Sequence, residues 1–325
     1  MTHEQRPIGT GFGAESTTND VIRGIDLKGK HAIVTGGHSG LGRETTRALL
    51  RAGASVTVAS RDPRRARLEL EGLEDAEVSQ LDLIDPRSVA AFAERYLDRG
   101  DPLEILINNA APPAPKSLQT DPRGYELQFA TSHLGHFQLT LALLPALRAA
   151  RGARVVNVSS GAQRFGAIRW NDPNFTLGYD PSAAYGQSKK ANVLFTVELD
   201  RRYAPDGVRA YAVHPGVVVG TKLNSAAGPE ALRAMGLVDE AGAPIIDPRA
   251  GKKTPAQGAA TIVFAATSPM LAGVGGVYLK DCDISALDDE PRRLTASYIP
   301  ADIHSSSIDP GDASRLWELS ERLLE

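Results

Sequence analysis

The chain has little of what several classes of protein require. Its 325 residues include one cysteine, Cys282, so no disulfide can form within the chain, as expected in the reducing cytoplasm. A net charge of −3 provides no basic excess for nucleic acid or an anionic membrane. No apolar run approaches the length of a membrane span, and residues 1–16 lack the apolar segment of a signal peptide. These absences favour a cytoplasmic globular protein.

What the chain does have is an ordinary globular composition, with 42% hydrophobic and 23% charged residues. The pattern along it predicts a polar arm over residues 1–27 and one α/β catalytic domain over residues 28–285. Within that domain, residues 222–258 are rich in alanine, glycine and proline, which is typical of a mobile substrate lid. Residues 286–325 are predicted to form a polar tail with a terminal helix.

A glycine-rich turn stands between the first predicted strand, residues 30–35, and a helix that leads to a second strand, residues 55–60. A dinucleotide loop requires this β-α-β context. Gly36, Gly40 and Gly42 allow a tight turn and a close approach of a pyrophosphate to the helix N-terminus. A purely structural glycine turn is the alternative, and the context favours a cofactor site.

The end of the second strand discriminates between cofactors. An acidic residue there would bind the adenosine ribose and repel a 2′-phosphate, whereas this chain has Ser60-Arg61. A hydroxyl and a guanidinium fit a phosphate, so we expect NADP(H) rather than NAD(H). The alternative is that Arg61, Arg64 and Arg65 form a solvated cluster.

Polar residues also end the next predicted strands. Asp82 follows the third strand and could receive the adenine amino group, and Asn108-Asn109-Ala110-Ala111 follows the fourth. The fifth strand, residues 154–160, ends in Ser160. The carboxyl ends of strands in an open α/β sheet line the ligand crevice, so we expect these residues near one another. No Gly-x-Ser-x-Gly elbow is present, which disfavours serine-hydrolase chemistry.

Tyr185 and Lys189 are four residues apart on a predicted helix and therefore share one face. A nearby ammonium favours the phenolate, so we expect Lys189 to lower the Tyr185 pKa and create an acid–base centre. The spacing alone is weak evidence, because most such pairs lie on solvated helix faces. Ser160, at a strand end, is the expected partner hydroxyl.

A further helix is predicted from Thr120-Asp121-Pro122 to about residue 150, and it contains His133 and His136. The two histidines are three residues apart, without an acidic or cysteine partner at ligand spacing. We therefore expect structural histidines and no metal site.

Several motifs occur in a fixed order between about residues 28 and 319. They are Thr35-Gly36-x-x-x-Gly40-x-Gly42, Asp82, Asn108-Asn109-Ala110, Ser160, Tyr185-x-x-x-Lys189 and Pro215-Gly216. This set resembles the short-chain dehydrogenase/reductase family. Residues 134–137 and 156–160 and the segment Ser188-Lys189-x-Ala191-Asn192 resemble one branch, which includes retinol-dehydrogenase-like enzymes, the WW-domain oxidoreductase and light-dependent protochlorophyllide reductase.

The resemblance implies a doubly wound Rossmann fold of about seven parallel strands, hydride transfer between a nicotinamide and a carbonyl or alcohol, and a homodimer or homotetramer. It implies that Tyr185 is the acid or base, that Lys189 lowers its pKa, and that Ser160 binds the substrate oxygen. The residues implied in cofactor binding are Thr35, Gly36, His38, Ser39, Gly40, Leu41, Gly42, Ser60, Arg61, Asp82, Leu83, Asn109, Ala110, Tyr185, Lys189, Pro215, Gly216, Val218 and Thr221.

Three positions depart from the pattern of that family. Ser132 stands where the fourth catalytic residue, an asparagine, is thought to hold a water that feeds protons toward the lysine. A serine can bind water, but it is shorter and lacks the paired donor and acceptor of an amide. Ala111 replaces a glycine, and the run from Pro215 to Thr221 is one residue longer than usual.

The leading hypothesis is an NADP(H)-dependent oxidoreductase for a fairly apolar carbonyl or alcohol. The aromatic residues between positions 161 and 184 favour an apolar substrate of some bulk, or they could simply pack on the sheet. A dinucleotide-binding sensor or scaffold with little catalysis is the alternative, and Ser132 is its main support. A transferase on a Rossmann-like fold gains less, because Tyr-x-x-x-Lys has no role there.

Overall fold

Eight strands form one sheet, in the order β3-β2-β1-β4-β5-β6-β7-β8, and helices flank it. The computed structural model describes residues 4–219, 221, 223, 228–293, 295 and 298–325. The strands are β1 (His31–Thr35), β2 (Ser55–Ser60), β3 (Glu77–Gln80), β4 (Ile105–Asn108), β5 (Ala153–Val158), β6 (Val208–His214), β7 (Val277–Lys280) and β8 (Asp283–Ile284).

The helices follow the strands in the alternation expected of a doubly wound fold. They are α1 (Thr18–Val21), α2 (Gly40–Arg51), α3 (Pro63–Glu69), α4 (Pro86–Leu97), α5 (Leu127–Phe129), α6 (Gly135–Ala142), α7 (Leu144–Ala149), α8 (Pro181–Tyr203), α9 (Gly228–Ala234), α10 (Pro255–Thr267) and α11 (Pro310–Leu324). Among the described residues, no helix combines the length and the apolar character needed to cross a bilayer.

The central strand β1 shows why the sheet is apolar on both faces. Ala32 and Val34 are buried in one core cluster, which includes α10, and Ile33 is buried in a second cluster on the opposite face, which includes α4. Successive strand residues point to opposite faces, and both faces are covered. A continuous apolar run therefore marks this strand, as the sequence predicts.

The predicted parallel sheet is confirmed for β1 to β7, and the structure adds one strand. Residues of β8 pair antiparallel with β7, with Leu279 opposite Ile284. The connection between the two strands turns at Asp281 and Cys282, which both have positive φ, 54° and 61°. Aspartate adopts this conformation more readily than most residues, but cysteine does not, and the glycine typical of a tight hairpin is absent from these two positions, so the sequence did not indicate this hairpin.

The helix predicted from Thr120 begins later than expected. Asp121 instead closes a turn, because its side chain accepts hydrogen bonds from the backbone N–H groups of Arg123 and Tyr125, at 2.8 and 2.9 Å. The helix starts after Glu126, whose carboxylate caps α5 by accepting from Phe129 N–H at 2.8 Å. An aspartate followed by proline fits such a turn as well as it fits a helix start.

The predicted lid is only partly described, because residues 222 and 224–227 lie outside the described residues. Within the rest, α9 spans Gly228–Ala234, and residues 247–253 run back along the segment after β6. Val217 N–H donates to the Gly251 carbonyl at 2.8 Å, and Lys253 N–H donates to the Val217 carbonyl at 2.9 Å. The end of this region is therefore fastened beside the end of β6.

The two terminal segments pack on opposite faces of the sheet, with Phe12 of the N-terminal arm against the cluster that includes α10 and Trp317 of α11 in the cluster that includes α4. In the N-terminal arm, the Thr10 hydroxyl donates to the Cys282 carbonyl at 2.8 Å, and the Thr18 hydroxyl donates to Glu44 of α2 at 2.7 Å. At the other end, Gln163 and Arg164 both donate to the Asp302 carbonyl at 3.0 Å. We call the described residues between 285 and 309 the C-terminal strap; they lie between β8 and α11, and Pro300 and Asp302 contact the loop after β5.

Candidate active site

The glycine turn after β1 has a backbone that other residues could not adopt without cost. Gly36 and Gly40 have φ values of +65° and +53°, in the left-handed region. A Cβ added to Gly42 would lie 2.3 Å from the Gly36 carbonyl oxygen, which is impossibly close. The start of α2 is thus pressed against the turn, as a pyrophosphate site at a helix N-terminus requires.

The N-terminus of α2 is not capped by a side chain. Ser39 is the N-cap residue, and its side chain makes no capping hydrogen bond. The N–H groups of the first turn therefore remain available to an anion. Of the neighbouring candidates, His38 lies 3.9 Å from a Glu69 carboxylate oxygen. The Leu41 side chain instead faces Gly258 of α10, where an added Cβ would meet it at 2.8 Å.

Thr35 and Asn109, both predicted at the cofactor, are used to join β1 to β4. The Thr35 hydroxyl accepts hydrogen bonds from the backbone N–H groups of Asn109 and Ala110, at 2.8 and 3.0 Å. The Asn109 amide donates to the Thr35 carbonyl at 2.8 Å. Both side chains therefore hold the ends of β1 and β4 together at the predicted cofactor crevice.

The end of β2 leaves one guanidinium unpaired. Ser60 is buried, and its hydroxyl accepts from Asp62 N–H at 3.3 Å. The Asp62 carboxylate accepts from Arg65 N–H at 3.0 Å as the cap of α3, and Arg65 pairs with Glu69 at 2.8 Å. Arg61 is exposed, and in the described part of the chain its side chain has no hydrogen bond or ion pair. The nearby Asp62 carboxylate thus serves as the cap of α3, and the Arg61 guanidinium is available to bind a phosphate.

The next two candidates lie after β3. The Asp82 carboxylate accepts from Ile84 N–H at 3.3 Å, and the backbone N–H of Asp82 donates to the Ser88 hydroxyl at 2.9 Å. The Leu83 carbonyl would lie 2.3 Å from a Cβ on Gly135. Gly135 therefore allows α6 to approach this wall of the crevice closely.

The segment after β6 reaches across to the glycine turn. Gly216 has φ +79°, and Val218 is buried. The Thr221 hydroxyl donates to the Val218 carbonyl at 3.2 Å. The Thr221 methyl carbon would lie 3.5 Å from a Cβ on Gly40. The structure therefore brings Pro215, Gly216, Val218 and Thr221 to the same crevice as the phosphate turn.

Ser160, Tyr185 and Lys189 meet above the carboxyl end of β5. Ser160 precedes a short turn and accepts from Ala162 N–H at 3.2 Å. Asp180 caps α8 by accepting from Ala183 N–H at 2.6 Å, which places Tyr185 in the second turn. The Ser160 hydroxyl lies close enough to the Tyr185 hydroxyl to act on its pKa. The structure therefore brings these two predicted hydroxyl groups near each other.

The pKa relation between Tyr185 and Lys189 differs from the expectation. Burial raises the Tyr185 pKa, and the neighbouring Ser160 side chain acts in the opposite direction. The Lys189 ammonium lies 5.6 Å from the centre of the Tyr185 ring and donates to the Val158 carbonyl at 3.2 Å. Burial lowers the Lys189 pKa to about 8. The lowering expected of the Tyr185 pKa is thus absent, because Lys189 is itself desolvated and directed at the backbone.

Ser132 lies in an irregular turn of the helix between α5 and α6. Residues Ala130–Leu134 form a π-helical turn, in which Gly135 N–H donates to the Ala130 carbonyl. The Ser132 carbonyl accepts from Nδ1 of His136 at 3.0 Å. Ser132 is buried, and no residue within the described ranges binds its hydroxyl. That hydroxyl is consequently available to hold a water.

Both histidines of this helix have structural partners, as predicted. His133 Nε2 contacts the Ser320 hydroxyl of α11 at 2.7 Å, within rings of Phe129, Phe137 and Phe195. Burial lowers its pKa to about 3, so it is neutral. In the portion of the chain that the structure describes, no three His, Cys, Asp or Glu residues are grouped as metal ligands.

Comparison with known proteins shows which family has a sequence and fold similar to this chain. The family description "short chain dehydrogenase" matches residues 30–231. A "Probable oxidoreductase" of Streptomyces lividans is 44% identical over 90% of this chain and 97% of its own length. "Retinol dehydrogenase 12" of Mus musculus is 37% identical over 96% of this chain and 90% of its own. A solved structure of a protein from Mycobacterium paratuberculosis is 33% identical, covers 93% of this chain and 96% of its own, and has a TM-score of 0.69.

The chain belongs to the short-chain dehydrogenase family. It falls within the branch that resembles retinol dehydrogenases. As a member of this family it is an oxidoreductase that binds a nicotinamide dinucleotide. The open α2 N-terminus, the close contact at Gly42 and the unpaired Arg61 fit such a cofactor.

The structural roles of two residues in this short-chain dehydrogenase were not predicted from the sequence. His214, the last residue of β6, accepts from Gly161 N–H at Nδ1, at 3.0 Å, and so holds the loop that begins at Ser160. His136 connects Ser132 with Thr35. A polar residue at the end of an apolar strand could have indicated His214. Nothing in the spacing distinguishes His136 from His133.

Proposed function

We propose that the chain is an NADP(H)-dependent oxidoreductase that interconverts a carbonyl and an alcohol of a fairly apolar small molecule. The observation that carries the proposal is the closeness of the Ser160 and Tyr185 hydroxyl groups, with Lys189 one turn along α8, at the carboxyl end of β5. A pure binding protein has no need of this set.

In this proposal each residue has one task. Ser160 donates a hydrogen bond to the substrate oxygen, and Tyr185 passes a proton to that oxygen or takes it in the reverse direction. The Lys189 ammonium, which donates to the Val158 carbonyl, would hold the ribose of a bound cofactor, and beside the Tyr185 hydroxyl it would favour the phenolate. The bound nicotinamide supplies or accepts the hydride. A water on the free Ser132 hydroxyl returns protons toward Lys189.

The preference for NADP(H) rests on the end of β2. Arg61 is exposed and unpaired among the described side chains, and the nearby Asp62 carboxylate is turned to Arg65 N–H. An unpaired guanidinium binds a 2′-phosphate with charge-assisted hydrogen bonds. No carboxylate is left there to select for a free ribose hydroxyl.

The loops after the strand ends support an apolar substrate. They expose large hydrophobic side chains, which are Leu118 after β4, Phe165 and Leu177 after β5, and Met235 and Ile246 after β6. Exposed apolar groups near a crevice commonly mark a binding surface. Relatives named retinol dehydrogenase point to a long apolar alcohol or aldehyde of similar kind. Cytoplasmic location and a homodimer or homotetramer complete the proposal.

The test is to assay all-trans-retinal, decanal and cyclohexanone with NADPH, and the corresponding alcohols with NADP⁺, by nicotinamide absorbance. We expect turnover of at least one apolar pair, and Tyr185→Phe should lower kcat by roughly 10² to 10⁴-fold while NADPH affinity stays unchanged. Tyr96→Phe, at a tyrosine of α4 whose hydroxyl donates to the Pro102 carbonyl at 3.0 Å, is the matched control. Full activity of Tyr185→Phe would overturn the mechanism.

A second candidate is a dinucleotide-binding sensor or scaffold. Two observations favour it, namely Ser132 in place of an asparagine and the raised Tyr185 pKa. Tight NADPH binding without turnover of any carbonyl, together with unchanged inactivity of Ser132→Asn, would select this candidate over the enzyme.

A further inference from the structure

We propose that His136 is a positioning residue, which holds the Ser132 turn and the cofactor edge of β4 in a fixed relation behind Lys189. The proposal deepens the proposed function and rests on it. His136 lies on the first turn of α6, is buried, and contacts both the Ser132 carbonyl and the Thr35 hydroxyl.

The hydrogen bonds of His136 fix its tautomer. Nδ1 lies 3.0 Å from the Ser132 carbonyl, which can only accept, so Nδ1 carries the proton. Nε2 is then an acceptor, and the Thr35 hydroxyl at 2.9 Å must donate to it. The ring therefore has one donor, which binds the Ser132 carbonyl, and one acceptor, which binds the Thr35 hydroxyl.

The Thr35 bond extends this arrangement to the cofactor edge. Because the Thr35 hydroxyl donates its proton to His136, its lone pairs face the N–H groups of Asn109 and Ala110. Without that acceptor the hydroxyl would turn to the Ile107 carbonyl, at 3.3 Å, and its lone pairs would turn with it. The backbone after β4 would then lose a defined position.

The Ser132 bond acts on the π-helical turn. In that turn Gly135 N–H donates to the carbonyl five residues earlier, at Ala130, and the Ser132 carbonyl accepts a side-chain hydrogen bond from Nδ1 of His136. This bond holds the backbone at Ser132, whose hydroxyl has no partner among the described residues. Burial lowers the His136 pKa to about 4, and the Lys189 charge acts in the same direction. His136 thus stays neutral and keeps both bonds where Lys189 titrates.

Two amide substitutions separate the two bonds. In His136→Asn the short amide can still donate to the Ser132 carbonyl but cannot reach Thr35. In His136→Gln the longer amide can accept from Thr35 but is misplaced for Ser132. We expect His136→Asn to weaken NADPH binding about tenfold with kcat nearly kept, and His136→Gln to lower kcat about tenfold with NADPH affinity nearly kept.

NADPH affinity is measured by calorimetric titration and kcat with the carbonyl that the screen identifies. His133→Asn, at a buried histidine three residues earlier, is the control. It should lower the melting temperature without changing NADPH affinity and kcat by different factors. Equal losses in both amide variants, or losses that follow the melting temperature, would overturn the proposal. If the wild type binds NADPH but turns over no carbonyl, the proposed function fails. The NADPH affinity of His136→Asn then decides the His136 proposal alone.

Discussion

The cofactor side and the substrate side of the crevice are built by different means. On the cofactor side, backbone is packed against backbone, and a single methyl at Gly42 or Gly135 would overlap a carbonyl oxygen at 2.3 Å. On the substrate side, loops expose large apolar side chains such as Phe165 and Leu177. The two sides meet at Ser160, Tyr185 and Lys189. One side tolerates almost no change in shape, whereas the other can vary its side chains without disturbing the sheet.

The largest effect is expected on the cofactor side, at Gly42. Gly42→Ala places a Cβ against the Gly36 carbonyl, which forces the turn away from α2. We expect NADPH affinity to fall about 100-fold by calorimetry. Gly152→Ala is the control, because a Cβ there has no neighbour within 4 Å. Unchanged binding in Gly42→Ala would show that this turn does not hold the cofactor.

Lys189, at the junction of the two sides, should make stability depend on pH. Burial holds its pKa at about 8 in the folded protein, against 10.5 in the unfolded chain. Between these values the unfolded chain binds more protons, so stability rises with pH. Relative to Lys189→Met, the wild type should gain up to about 3 kcal/mol of unfolding free energy between pH 7 and 10.5.

This pH effect is measured by urea unfolding of the apoprotein at several pH values. Lys28→Met, at an exposed lysine, serves as the control for general alkaline effects. A wild-type minus Lys189→Met difference that stays constant with pH would mean that Lys189 is not desolvated in the folded protein.

Substitution of Arg61 tests whether the cofactor side of the crevice also determines the preference for NADP(H) over NAD(H). Arg61→Ala should weaken NADPH about tenfold and leave NADH nearly unaffected, because one charge-assisted contact to the 2′-phosphate is lost. Arg67→Ala, at another exposed arginine nearby, should change neither. Equal affinities of the wild type for NADPH and NADH would contradict the argument from β2.

The smallest effect is expected on the substrate side, at Ile299 of the C-terminal strap. Its side chain lies 3.7 Å from the position of a Cβ on Gly251, and the adjacent Pro300 carbonyl lies 2.6 Å from that position on Gly161. Ile299→Ala should raise KM for decanal about threefold and leave NADPH affinity unchanged. Leu68→Ala is the exposed control. A change in NADPH affinity alone would place the strap with the cofactor side.

The same contrast explains what could be predicted from the sequence. The strand β2, the glycine turn and the meeting of Ser160 with Tyr185 follow from local patterns and from the rule that strand ends share one edge. The seven parallel strands and the family were also confirmed. The strand and the turn depend on a few adjacent residues, and the rule for strand ends and the order of the family motifs supply the arrangement of the rest.

The features that were wrong or missed depend on distant partners or on competing turns. Asp121 forms a turn where a helix start was expected, and the raised Tyr185 pKa reflects burial by the folded protein. The role of His136 appears only when Thr35, 101 residues away, is brought beside it. The strap contacts Gly161 from position 300. Such pairings cannot be recognised from sequence spacing.

The N-terminal arm has a consequence for how copies of this chain can associate. Gln5 uses its side-chain amide as a strand would use its backbone, accepting from Tyr278 N–H at 2.9 Å and donating to the Tyr278 carbonyl at 2.8 Å. The edge of β7 beyond the short β8 is therefore already occupied. A second copy could not extend the sheet there without displacing the arm, so this edge is protected against strand-to-strand aggregation. Any oligomer would form more readily through helices than through that edge.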